Sequence, residues 1–208
     1  QSHAFLLFRT IEKKTIRSPM SLAMTTNPIR VLALHGSGGT AKSFADILKK
    51  WNAFDLVITT VQGHVEKDDG FAWWNLPPGG RSSTATSYDG FETSRHSVMT
   101  ALVDNSHDLV IAHSQGAILI AALLALNVMH HHPNYGYILN GVAWPNPYTA
   151  ELESLSLKND SPPPRILIII GTNDRINPPE QGERVAAALQ NAGYNVTIVH
   201  HPGGHAVP

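Results

Sequence analysis

From Ile29 onward, short apolar runs alternate with segments whose apolar residues recur at helical spacing. This alternation predicts parallel strands joined by crossover helices. The predicted strands are 30–34, 56–61, 109–112, 136–142, 165–170 and 195–200. Several are rich in Ile and Val and apolar on both alternations, as central strands covered on both faces are. Between the first two, Phe44, Ile47, Leu48 and Trp51 recur at i, i+3, i+4 and i+7 behind a capping Thr40, which predicts a helix. Residues 116–129 are almost wholly apolar before turning polar at Asn127 and His130, which predicts a helix buried in the middle of the molecule. Pro178-Pro179 opens another helix over 181–191, ended by Gly193. The fold class is therefore α/β, a mostly parallel sheet flanked by helices.

Two segments break the alternation. Residues 63–89 contain Trp73-Trp74, Pro77-Pro78-Gly79-Gly80 and a Ser/Thr cluster, and residues 144–164 are rich in proline. Long irregular segments in a compact domain are usually functional, so the first is expected to form a pocket wall. Trp73 and Trp74 either line a pocket for an acyl or alcohol group or anchor the loop.

Length and charge narrow the function classes. With 208 residues the chain can bury a core without staples, and with no cysteine it has no disulfide, thiolate nucleophile or Cys-ligated zinc. A net charge of −1 supplies no global field for nucleic acid. No apolar run approaches the roughly 18 residues of a transmembrane helix, so a soluble protein is expected. Residues 1–30 hold five basic groups (Arg9, Lys13, Lys14, Arg17, Arg30) against one acid, Glu12. The expected reading is an edge strand at 5–11 leading into a linker, in a cytoplasmic protein. The alternative is that the imbalance marks a targeting remnant and an organellar location, plastid or mitochondrion. The expected division is an extension over 1–28 and one domain over 29–208.

The candidate chemistry sits where predicted strands end. The strand 109–112 runs into His113-Ser114-Gln115-Gly116 and then into the buried helix, so Ser114 occupies a strand-to-helix turn. Such a turn needs small residues two positions either side of the serine, here Ala112 and Gly116, and presents the hydroxyl as a nucleophile. A serine hydroxyl needs a base, and the base an orienting acid. Asp174 follows the fifth predicted strand and His205 the sixth, giving the chain order Ser, Asp, His at the carboxyl edge of the sheet. The backbone N–H groups of Ser37, in the turn His35-Gly36-Ser37-Gly38-Gly39, and of Gln115 are the expected oxyanion donors. That turn lacks both the glycine spacing and the lysine of a phosphate-binding loop. His35 is expected to be a structural hydrogen-bonder beneath the site. His130-His131-His132 are consecutive, so their side chains diverge, and no metal or organic cofactor is predicted.

With these residues assembled, the chain resembles the FSH-type family of serine hydrolases, small α/β-hydrolases without a large cap domain, over about 29–208. The carriers are R-V-L-A-L-H-G at 30–36, F-A-W-W at 71–74, Y-D-G-F-E-T-S at 88–94, S-Q-G-A at 114–117 and H-P-G-G-H-A-V-P at 201–208. The resemblance implies the same triad, Ser114, Asp174 and His205, and hydrolysis of a small-molecule carboxylic ester or thioester. Where the family usually has Gly-Phe before the serine, this chain has Ala112-His113, so His113 either enters the substrate pocket or fills the space of the aromatic. Small or medium-chain esters are the expected substrates. A thioesterase with the same triad, or a non-catalytic binding module of this fold, are the alternatives.

Overall fold

The computed structural model describes residues 28–51, 55–104, 107–129, 133–157 and 162–208, with nothing described for the side chain of Asp104. The expected extension over 1–28, with its edge strand at 5–11, and the three consecutive histidines lie outside the described residues, apart from Pro28.

Six parallel strands form the main sheet: β1 (Ile29–Leu34), β2 (Leu56–Val61), β5 (Leu109–His113), β6 (Gly136–Asn140), β7 (Arg165–Gly171) and β8 (Asn195–His201). Their order is β2-β1-β5-β6-β7-β8, and a two-stranded antiparallel hairpin, β3 (Val65–Lys67) with β4 (Gly70–Ala72), stands apart. The connecting helices are α1 (Ala41–Lys49), α2 (Phe91–Asp104), α3 (Gln115–Ala125), α4 (Thr149–Ser154) and α5 (Pro179–Asn191). The architecture is the α/β-hydrolase type, a mostly parallel sheet with flanking helices.

Each element follows from local chemistry. Helix α1 begins with a reciprocal cap in which the Thr40 hydroxyl accepts from Ser43 N–H and the Ser43 hydroxyl accepts from Thr40 N–H. It buries Phe44 and Leu48 and leaves Ile47 on its outer side. Helix α3 is buried along its whole length, which is why its residues are apolar all round rather than on one stripe. It lies over the middle of the sheet, where Val110 and Ala112 of β5 and Leu139 of β6 join it in the larger of two cores. Strands β5, β6 and β7 are buried nearly throughout, whereas β2 and β8 are only partly covered because they are the sheet's edges. Two predicted bounds need correction: the fourth predicted strand, β6, ends at Asn140, not at 142, because Gly141 turns the chain at a φ of 59°, and the helix predicted over 116–129 ends at Ala125.

The irregular segments hold more structure than their sequence suggested. Residues 63–89 contain the hairpin, whose β4 docks on the turn after β1 through Phe71 N–H to Gly39 O and Gly38 N–H to Phe71 O, both 2.9 Å. Helix α2 was not foreseen, since one of its buried positions is a serine: Ser94 lies between buried Phe91 and Val98 on the inward stripe. The second segment holds a short 3-10 turn (Asn146–Tyr148) and α4.

Candidate active site

Ser114 lies between the end of β5 and the first residue of α3 with φ 52° and ψ −120°. This is a backbone region that only glycine adopts without cost, and a serine persists there only where its surroundings enforce it. They do so from both sides. Ser114 N–H donates to Asn140 O at 2.9 Å, and Ile118 N–H closes the first helical turn on Ser114 O at 2.9 Å. The turn also brings α3 against β1 so closely that a Cβ on Gly116 would stand 2.7 Å from His35 O and 2.8 Å from Leu34 O.

The Ser114 hydroxyl is 2.7 Å from Nε2 of His205, whose Nδ1 is 2.6 Å from Oδ2 of Asp174. Asp174 is 5% exposed, and its other oxygen accepts from Ile176 N–H (2.8 Å) and Asn177 N–H (2.9 Å). A carboxylate so engaged can only accept, so Nδ1 of His205 carries the proton and Nε2 faces the serine as an acceptor. The loops bearing the acid and the imidazole are stitched together. Thr172 N–H bonds His201 O, Asn173 N–H bonds Gly203 O, and the Asn173 side chain bonds Pro202 O. A Cβ on Gly171 would collide with Gly204 O, so the two loops lie in contact at their base.

The two expected oxyanion donors are placed as follows. In the turn after β1, Gly38 N–H and Gly39 N–H are spent on Phe71 O and Gly36 O. Ser37 N–H has no acceptor among the described residues, and Gln115 N–H is one of the first-turn donors that a helix cannot use itself. The Gln115 side chain is fixed by Trp73 N–H to its Oε1 (2.8 Å) and by its own Nε2 to Trp74 O (3.1 Å).

His35 lies beneath this turn. Its Nε2 accepts from Gly63 N–H (3.0 Å) and from Gln62 Nε2 (2.9 Å), so Nδ1 carries the proton toward Gly36 O at 2.7 Å. Burial lowers its pKa, which keeps it neutral and suits it to hold the exits of β1 and β2 together.

For Trp73 and Trp74 the structure decides between the two expectations. Both are buried, at 0% and 1% exposure, so neither offers a surface to a ligand. Trp73 Nε1–H donates to His35 O at 2.8 Å and its ring stacks on His35, while Trp74 stacks on Tyr88 at 4.2 Å. They anchor the long segment. The groove of about 370 Å³ that this segment does form is lined instead by residues 86–93 with Pro147 and Tyr148, Tyr88 and Phe91 among them. His113 is brought to the site, half-buried, between the ring of His205 (5.0 Å) and Phe44 (6.2 Å), with the Asn140 amide 2.9 Å from its Nδ1. Burial, and secondarily the proximity of His205, pushes its pKa down to about 4, so at neutral pH it adds no charge beside His205.

Several contributors lay outside the sequence reading. Asn177 bonds Gly141 O (2.7 Å), fixing the glycine that packs against His205, and Arg81 bonds the carbonyls of Arg175 and Ile176 (3.4 and 2.9 Å). Single Asn and Arg residues in loops carry no spacing signal. Ser94, another buried serine, spends its hydroxyl proton on Trp73 O at 2.5 Å and lies 3.2 Å from Nδ1 of His64, an imidazole with no carboxylate partner among the described residues. Among the described residues no cluster of His, Asp and Glu could hold a metal ion, and no helix is long and apolar enough to cross a membrane.

A family model described as "Serine hydrolase (FSH1)" matches residues 50–208. No curated protein matches the chain by sequence. Among solved structures it is similar to a carboxylesterase from Mesorhizobium loti (TM-score 0.67, 19% identity, covering 86% of this chain and 82% of that one). It is also similar to the Bacillus cereus carboxylesterase (0.62, 22%, 89% and 84%) and to Zea mays acyl-protein thioesterase 2 (0.63, 19%, 90% and 90%). At these identities the likeness establishes the shared fold.

Proposed function

The chain belongs to the FSH1 family of serine hydrolases, and from that premise we propose that it cleaves carboxylic esters of small or medium-chain acyl groups through an acyl-enzyme on Ser114. The observation that carries the proposal is the unbroken hydrogen-bonded line from the Ser114 hydroxyl through His205 to Asp174, built on a strained turn. His205 Nε2 takes the hydroxyl proton as Oγ attacks the acyl carbon, and Asp174 stabilises the imidazolium that forms. The oxyanion of the tetrahedral intermediate meets the N–H groups of Ser37 and Gln115. Collapse expels the alcohol, which receives its proton from His205. Water then repeats the sequence on the acyl-enzyme. No metal or organic cofactor enters these steps. The catalytic domain is 29–208, with 1–28 an extension before it.

The same machinery attacks thioesters, and the likeness to a protein named acyl-protein thioesterase keeps that reading beside the first. The test is turnover of p-nitrophenyl esters of increasing acyl length beside matched thioesters, for wild type and Ser114→Ala. Serine-dependent ester cleavage with a chain-length optimum supports the esterase. Serine-dependent preference for thioesters transfers the function to the second reading, and turnover that survives in Ser114→Ala refutes both.

A further inference from the structure

Arg81 and Arg175 meet at the loop after β7 that carries Asp174. Arg81 reaches from the long 63–89 segment to the loop after β7, where its Nη1 donates to Ile176 O (2.9 Å) and Arg175 O (3.4 Å). Ile176 N–H in turn donates to Asp174 Oδ1, so one residue separates this guanidinium from the acid that orients His205. Arg175 follows Asp174 directly, and both arginine side chains are exposed. Three other arginines face carboxylates, Arg30 with Asp108, Arg95 with Glu92 and Arg184 with Glu153, and Arg165 donates to Asn134 O at the opposite end of the sheet's strands. Among the described residues neither Arg81 nor Arg175 has a carboxylate partner, and Arg81 keeps donors unused while fixed in place. The exposed acids Asp68 and Asp69 lie instead on the hairpin turn, beside the turn after β1, with Asp68 Oδ2 3.9 Å from where a Cβ on Gly38 would be.

The side on which the arginines lie has a chemical meaning. His205 delivers its proton to the leaving atom, so the leaving group departs on the His205 side of the site, which is also the side of the loop that carries Asp174. We propose that the preferred substrate carries an anionic group, phosphate or carboxylate, on its leaving group, and that Arg81 and Arg175 receive it. This rests on the ester or thioester hydrolysis proposed above and names the chemistry of its leaving side. Exposed cations of this kind act mainly by attracting and orienting the substrate, so the effect falls on kcat/KM and is eroded by salt.

The test compares acyl groups matched in length on charged and neutral leaving groups that share the same scissile bond. Coenzyme A thioesters are set against N-acetylcysteamine thioesters for phosphate, and 4-carboxyphenyl esters against phenyl esters for carboxylate. Wild type is expected to favour the charged member of at least one pair by about fivefold to tenfold in kcat/KM at low salt. The pair that shows the preference identifies the anion. In Arg81→Gln/Arg175→Gln the ratio should collapse toward one. Arg175→Gln alone, which leaves the Arg81 tether in place, should lower it part of the way. Equal kcat/KM for charged and neutral members in wild type, or a preference that survives in the double variant, overturns the proposal. Failure of the hydrolytic reading itself shows differently, as absence of serine-dependent turnover on the neutral members.

Discussion

Replacing Ser114 by glycine should make the protein more stable than replacing it by alanine, although both variants lose the nucleophile. Both remove the hydroxyl and its 2.7 Å contact with His205, so that loss cancels in the comparison. What differs is the backbone. At φ 52° and ψ −120° a residue with a Cβ bears a strain of about 1–3 kcal/mol, from which glycine is free. Against this, glycine gives the unfolded chain about 0.4–1 kcal/mol more conformational entropy to lose. The net difference is about 0.5–2 kcal/mol in favour of Ser114→Gly, or roughly 2–6 °C in Tm for a domain of this size. Urea unfolding followed by fluorescence gives the comparison directly, with equal m values as the control that both variants unfold from the same fold. At an unstrained first turn of a helix the order reverses, since glycine there is worse than alanine. Ser114→Gly equal to or less stable than Ser114→Ala would therefore refute the strained turn, and with it the account of how the nucleophile is presented.

Other consequences follow from the same geometry. Ser114→Ala should lower kcat by about a million-fold and Asp174→Asn by less, near ten-thousand-fold, measured on a chromogenic ester; an unchanged rate in Asp174→Asn would mean that another group orients His205. Gly116→Val should unfold the domain or cost several degrees of Tm by thermal melting, because its Cβ alone would press on the Leu34 and His35 carbonyls; a variant with wild-type stability would count against this packing. His113 has a folded pKa of about 4 against an ordinary value near 6.5, so the unfolded state takes up its proton first and stability falls as pH drops through that window. His113→Phe should remove a loss of order 3 kcal/mol between pH 6.5 and 4, and urea midpoints at the two pH values with the same spacing as wild type would show that His113 is not held neutral.

The parallel sheet was legible because its central strands are buried on both faces and must be apolar throughout, which leaves runs such as Ile166-Leu167-Ile168-Ile169-Ile170 unmistakable. The proximity of Ser114, His205 and Asp174 was legible for a different reason. Strand ends in a parallel sheet point to one edge, so placing Ser114, Asp174 and His205 after strands was enough to predict their meeting. Helix α2 was hidden by Ser94, a polar residue at a buried position whose partners, Trp73 O and the His64 ring, lie 21 and 30 residues away in the chain. The hairpin was hidden because three-residue strands are too short for an alternation to register. For the tryptophans, composition left pocket lining and loop anchoring open, because their packing depends on partners distant in the chain: His35 O and its ring for Trp73, the Tyr88 ring for Trp74.

Asp174 and His205, the acid and base of the proposed triad, hang from the ends of β7 and β8, and β8 is the outer strand of the sheet. Strands at a sheet edge open at lower free energy than those inside it. Fraying of β8 would draw His205 away from Ser114 while the strained turn, held between β5, β6 and α3, stayed intact. The catalytic line can therefore come apart as a local event, well short of global unfolding. Its protection rests on the bonds between residues 171–173 and 201–203, so the amide protons of Thr172 and Asn173 should report, by hydrogen exchange, on the fraction of molecules that are folded while His205 is parted from Ser114.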